Sequence, residues 1–230
     1  MRQAPTSVSP YRYSPTKETM ELTRLVHIVD DDEWVRESAS ILLDSAGYDI
    51  VAHESGVAFL ETLPELEPGC VILDMHMPVL TGLQVQEQLA ARGVHWPVIV
   101  LTGQGDIGIA VQAMKNGAFE FLEKPYENNH LLQALTEAFE KIDQIHEESA
   151  REASARVRIE SLSQRELQVV QGLLAGLPNK LIAYELDLST RTVEIYRANA
   201  MDKLKASSLS TALRIAMTAG VQPLEERRKG

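Results

Sequence analysis

Between Leu25 and residue 145 the chain changes character five times. Each time, a short run rich in Val, Ile and Leu gives way to a longer amphipathic stretch. The apolar runs cover about 25–30, 49–52, 69–74, 97–102 and 119–122. The stretches between and after them, about 33–46, 55–63, 82–92, 106–116 and 127–145, carry the period of helices. Apolar strands separated by helices of roughly 8–20 residues mark βαβ units and a parallel sheet buried on both faces. The expected fold of this half is therefore α/β, a doubly wound five-stranded parallel sheet. Gly47 and Gly117 stand where helices should stop in a left-handed cap, and Asp106 where the fourth should start.

The residues that follow these strands point to chemistry. Asp30-Asp31-Asp32 follows the first, Asp74 ends the third, Thr102 ends the fourth and Lys124-Pro125 follows the fifth. Open parallel sheets bind ligands outside the carboxyl ends of their strands, so these groups should meet in one pocket. Mg²⁺ binds through a few carboxylates together with water and phosphate oxygens, and the acids suit it. Asp74, in the middle, is placed to act as a nucleophile and become an aspartyl phosphate. Lys124 would neutralise the added charge and Thr102 would donate a hydrogen bond to it. Any one acid at a strand end can instead cap a helix and meet solvent, the role expected of Asp32. His76 has no second His or Cys at ligand spacing, so its side chain is expected at the pocket rim. There, with Gln104, it would tune access of the hydrolytic water.

Charge separates the two halves. Residues 21–140 carry 5 Lys/Arg against 20 Asp/Glu, a net −15, whereas residues 161–230 carry 10 against 7, a net +3. Nucleic-acid phosphates would repel the first half but not the second. No apolar run reaches the roughly 18 residues of a membrane span. The single cysteine, Cys70, excludes an internal disulfide framework, lies in an apolar strand as a small core residue, and fits a reducing cytoplasm. Residues 1–22 read as a disordered extension without the apolar core of a secretory signal, and Met20 is an alternative start.

The second half is expected to be all-α. Residues 143–160 continue the fifth helix into a helical linker without Gly or Pro. Ser163 with Glu166 forms a capping box for a helix whose apolar stripe is Leu167, Val170, Leu173 and Leu174. Short helices follow at about 179–186, 190–205 and 208–219. Ser189 is placed to cap the third of these four helices. Ile182, Leu186, Val193 and Leu204 should face inward, leaving Arg191, Glu194, Arg197 and Lys203 outward. Two helices joined by a short turn, the second polar and basic, make a helix-turn-helix. The last helix, with Leu209, Leu213 and Ala216, either supports a dimer or closes the core.

Two resemblances rest on these residues. Val29-Asp30-Asp31-Asp32, Leu73-Asp74-Met75-His76-Met77-Pro78 with Gly82, Leu101-Thr102-Gly103 and Phe121-Leu122-Glu123-Lys124-Pro125 resemble a response-regulator receiver domain, a CheY- or flavodoxin-like fold. Leu162-Ser163-Gln164-Arg165-Glu166, Ala175 to Lys180, Ile182-Ala183, Thr190 to Glu194 and Lys203-Leu204 resemble the LuxR-type helix-turn-helix. Pro178 stands where the broader family has Ser, which the FixJ-like subgroup tolerates. The chain as a whole resembles a FixJ-like response regulator of the NarL/LuxR class. The domains implied are a receiver at 23–142, the linker at 143–160, a DNA-binding domain at 161–222 and a flexible tail at 223–230.

The resemblance implies a role for each site residue. Asp74 is the phosphoacceptor. Asp30, Asp31, Asp74 and the backbone carbonyl of His76 hold Mg²⁺. Thr102 and Lys124 contact the phosphoryl group, Phe121 is the aromatic that follows Thr102, and Lys124-Pro125 is a cis peptide. Lys180, Thr192 and Lys203 touch DNA phosphates, while Arg191, Glu194 and Arg197 face base edges. The partners implied are a sensor histidine kinase, promoter DNA, RNA polymerase and a second copy of the chain on phosphorylation, all without a membrane. The function implied is a transcriptional regulator, an activator by its subgroup, and not an enzyme. Two alternatives stay open: a phosphatase that uses Asp74 covalently, though position 76 holds His where such an enzyme has a second acid, and a constitutive dimer module.

Overall fold

A computed structural model describes residues 24–103 and 105–225, so the extension at 1–22, the alternative start, Gln104 and the end of the tail lie outside the described residues. The five expected strands are all present: β1 (Leu25–Val29), β2 (Asp49–His53), β3 (Cys70–Asp74), β4 (Val98–Thr102) and β5 (Glu120–Glu123). They form one parallel sheet in the order β2-β1-β3-β4-β5. Every residue of β1, β3 and β4 is buried, as continuous apolar strands demand. The edge strands β2 and β5 are only partly covered.

Helices α1 (Glu33–Ser45), α2 (Gly56–Thr62), α3 (Gly82–Ala91) and α4 (Ile107–Lys115) fill the crossovers, and α5 begins at Asn128. Asp32 caps α1 by accepting the Trp34 N–H at 2.9 Å. Thr81 and Gln84 make a capping box on α3. Gly47 and Gly117 adopt φ of 84° and 92°, the left-handed stops read from the sequence. Gly82 is required for a different reason. A Cβ there would overlap the backbone oxygen of Asp74, so a larger residue would push on the end of β3. Phe59, Val85 and Leu89 of the helices pack on Val29, Val71, Leu73 and Val100 of the strands. Each such side chain contributes about 1.5–3 kcal/mol on burial.

No sequence motif marks the polar nest inside this core. His27 is fully buried and stacks on Trp96 with ring centroids 5.0 Å apart. Its Nε2 donates to the Glu67 carbonyl at 3.0 Å. In the neutral ring Nδ1 is then the acceptor, which leaves His53 Nε2 to donate to it across 3.5 Å. Burial, reinforced by His27, pulls the His53 pKa down from 6.5 to about 4. A histidine whose folded pKa is depressed contributes stability that is complete above pH 6.5 and fades as pH falls toward 4. Urea unfolding of the receiver should therefore lose on the order of 2–3 kcal/mol over that interval. His53→Phe should flatten the dependence, and an unchanged slope in that variant would refute the assignment.

The chain divides into two compact units, one up to Glu140 and one from Lys141. Helix α5 runs unbroken from Asn128 to Glu160. The segment 143–160 is thus helical, as expected. Near its end Ile159 packs on the apolar cluster of Val170, Ala200, Leu204, Ala212 and Ala216 of the second unit. That unit continues with α6 (Gln164–Leu174), α7 (Asn179–Leu186), α8 (Thr190–Lys203) and α9 (Leu209–Thr218). The Ser163–Glu166 capping box forms as read. The buried stripe of α6 is Glu166, Val169 and Val170, with Leu167, Leu173 and Leu174 half-covered. Ala212 and Ala216 of α9 close the core.

Candidate phosphoryl site and nucleic-acid interface

Register builds the first site. Val29 pairs with Leu73 across β1 and β3, so the next residues, Asp30 and Asp74, emerge side by side. Leu101 pairs with Asp74, and Thr102 with Glu123, which brings Thr102 and Lys124 to the same edge. Asp30, Asp74 and Thr102 are 1%, 6% and 2% exposed, so the two acids are buried together and need compensation. Lys124 supplies it: Nζ donates to Asp30 Oδ2 at 2.7 Å and to Asp74 Oδ1 at 2.6 Å. The peptide from Lys124 to Pro125 is cis.

The remaining oxygens are also held. Asp30 Oδ1 accepts the Asp32 N–H at 2.9 Å, and Asp74 Oδ2 accepts the His76 N–H at 2.7 Å. Burial pushes the Asp30 carboxyl up, and its bond to Lys124 offsets this only in part. Burial works against the Lys124 ammonium, but the two carboxylates outweigh it and hold the amine above its ordinary pKa. Asp31 is exposed beside the pair. Phe121 is 43% exposed, directed away from the core. The His76 side chain is at the rim, half-exposed, with Nδ1 3.4 Å from Asp106 Oδ2. Asp106 precedes α4 as expected, but its carboxylate does not cap that helix. It accepts the Gly103 N–H at 3.1 Å instead. Its backbone is not extended there (φ −84°, ψ 34°), so the carboxylate folds back onto the loop.

The donor set is all oxygen, with two converging carboxylates and a third at the rim. The converging pair of carboxylates suits Mg²⁺, which keeps several waters and takes one or two carboxylates from the protein.

The second site lies on α7 and α8. Asp187 at φ 56° ends α7 in a left-handed turn, and Ser189 caps α8 by accepting the Thr192 N–H at 3.0 Å. Ile182, Leu186, Val193 and Leu204 are buried, as read. Lys180, Arg191 and Glu194 are exposed, and the Thr192 hydroxyl lies 2.7 Å from Ser189 Oγ. Two of the residues expected to contact DNA also have partners within the unit. Lys203 Nζ donates to Glu166 Oε2 at 2.6 Å, an internal clip between α8 and α6. Arg197 is half-buried and reaches Asn179 Oδ1 at 3.4 Å, because it falls near the inward line of α8. Residues all read as outward in the sequence thus differ in exposure and partners with their helical phase, which only the buried side chains define.

Both halves of the chain match known families. The family described as "Response regulator receiver domain" matches residues 26–136, and "Bacterial regulatory proteins, luxR family" matches residues 160–216. The chain is 46% identical to the transcriptional regulatory protein FixJ of Azorhizobium caulinodans over 202 residues, covering 87% of this chain and 95% of that one. It is 42% identical to FixJ of Rhizobium meliloti over 198 residues, covering 86% and 97%. Full-length FixJ from B. japonicum is similar in structure with a TM-score of 0.56 at 44% identity, covering 85% of this chain and 97% of that one. The response regulator StyR gives 0.71 at 38% identity, covering 84% and 98%. The chain therefore belongs to the FixJ-like response regulators, two-component transcription regulators that join a receiver to a LuxR-type DNA-binding domain and are not enzymes.

Proposed function

We propose that Asp74 accepts a phosphoryl group from the phosphohistidine of a sensor kinase, and that the modified chain dimerises and binds promoter DNA as an activator that recruits RNA polymerase in the cytoplasm. The observation that carries this reading is the pairing of Asp30 and Asp74 on Lys124, buried at the strand ends. Asp74 forms an oxygen–phosphorus bond as the phosphorus–nitrogen bond of the donor breaks, and the pair of electrons stays on the departing imidazole. Asp30, Asp31, Asp74 and the His76 carbonyl would hold Mg²⁺, which when bound offsets the charge of the phosphoryl oxygens. Lys124 Nζ, already at Asp74 Oδ1, turns to a phosphoryl oxygen, and the buried Thr102 hydroxyl donates to another. The added charge of about −1.5 to −2 draws in the loop after Thr102, and Phe121 follows inward. The face of α4, β5 and α5 then repacks as a dimer surface. Lys180 and Thr192 serve as phosphate contacts, with Arg191 and Glu194 at base edges.

Genomic DNA capture with the full chain, with and without Mg²⁺ plus beryllofluoride, tests this. Enrichment of specific sites only with the phosphoryl mimic is the expected result. Equal enrichment in both conditions would support the constitutive dimer module instead.

A further inference from the structure

We propose that Ile195 is a base-reading residue of α8 and takes a thymine methyl group in the major groove; this rests on the DNA-binding reading above. A helix turns by about 100° per residue, so its buried side chains locate its outward line. In α8 the buried residues are Val193 and Ala200, joined by the capping Leu204. The line opposite them carries Arg191, Ile195, Ala198 and Asp202, all exposed. Glu194 and Asn199 flank that line, also exposed. Arg197 sits on the inward side.

Ile195 is the anomaly on this face. It is 53% exposed, and neither apolar cluster of the unit includes it. A β-branched side chain there lowers helix propensity relative to Ala or Arg and adds nothing to the core. It stands in the second turn of the helix, in the N-terminal part that a helix-turn-helix lays against base edges. The major groove offers one apolar feature for such a side chain, the C5-methyl of thymine. Arg191 lies one turn earlier and Glu194 beside it, so the methyl contact would be bracketed by a guanine-reading and a cytosine-reading group. Ile195 has no hydrogen-bonding atom in its side chain, so its discrimination must come from the methyl group alone.

Deoxyuridine differs from thymidine by that methyl group only, which gives a direct test. The full chain with Mg²⁺ and beryllofluoride is used to select sites from random duplex DNA. Each thymine of the selected site is then replaced singly by deoxyuridine. At one thymine per half-site the wild type should bind about fourfold more weakly, the worth of one buried methyl group. Ile195→Ala should bind the two duplexes equally, and Ile195→Val should keep the preference, with helix content by circular dichroism unchanged in both. Indifference of the wild type to every replacement overturns the proposal, as does a full preference retained by Ile195→Ala. If the wild type selects no site at all, the DNA-binding reading itself fails and this inference falls with it.

Discussion

Asp74→Asn should abolish phosphoryl incorporation while leaving the receiver folded. The substitution keeps the shape of the side chain but removes the nucleophilic oxygen, and an amide does not form the acyl phosphate. Lys124 keeps its 2.7 Å bond to Asp30. The single amide oxygen at position 74 can accept from Lys124 or from the His76 N–H but not from both, so the variant keeps one of those two bonds and gives up the other. Incubation with a small phosphoryl donor and Mg²⁺, followed by intact mass, should show a gain of one phosphoryl group on the wild type and none on the variant. Site-specific DNA binding should then lose its response to the donor. A phosphorylated Asp74→Asn chain would show that the acceptor lies elsewhere.

Lys203→Met should destabilise the helical unit by about 2–3 kcal/mol. Removing one partner of a buried ion pair costs about 3–5 kcal/mol, and solvent reaching the lysine end reduces this. The side chain of Glu166 is only 5% exposed against 41% for that of Lys203, so the carboxylate bears most of the loss. It retains the Ser163 N–H at 2.7 Å. The pair also sets an acid limit. The bond from Lys203 holds the Glu166 carboxyl below its usual 4.5, so its contribution is full above that pH and fades as pH falls through the depressed value. Calorimetry of the full chain should show the transition of the helical unit moving down at pH 7 in Lys203→Met, with much less further loss below pH 4.5 than in the wild type. If both variant and wild type respond to acid alike, the clip is not what stabilises this unit.

The alternation of apolar runs, the acids and lysine after the strands, and the caps Asp32, Ser163 and Ser189 were legible in the chain itself, because each depends on local spacing. A parallel sheet allows few ways to connect five such units, so strand ends alone located Asp30, Asp74, Thr102 and Lys124. Partners distant in sequence were not legible. Whether Lys203 meets DNA or Glu166 depends on α6 lying against α8 across 37 positions of sequence. The choice of Ile195 over Arg197 for the outward face depends on helical phase, fixed to the core by Val193 and Leu204. Asp106 leaves its helix for Gly103 because of one loop conformation, and His27 finds His53 because β1 and β2 pair. Local patterns therefore determined the elements and the meeting of Asp30, Asp74 and Lys124 at the strand ends. Packing alone decided which charged side chains stay free to act, because a charge is committed wherever its nearest compensating partner is brought.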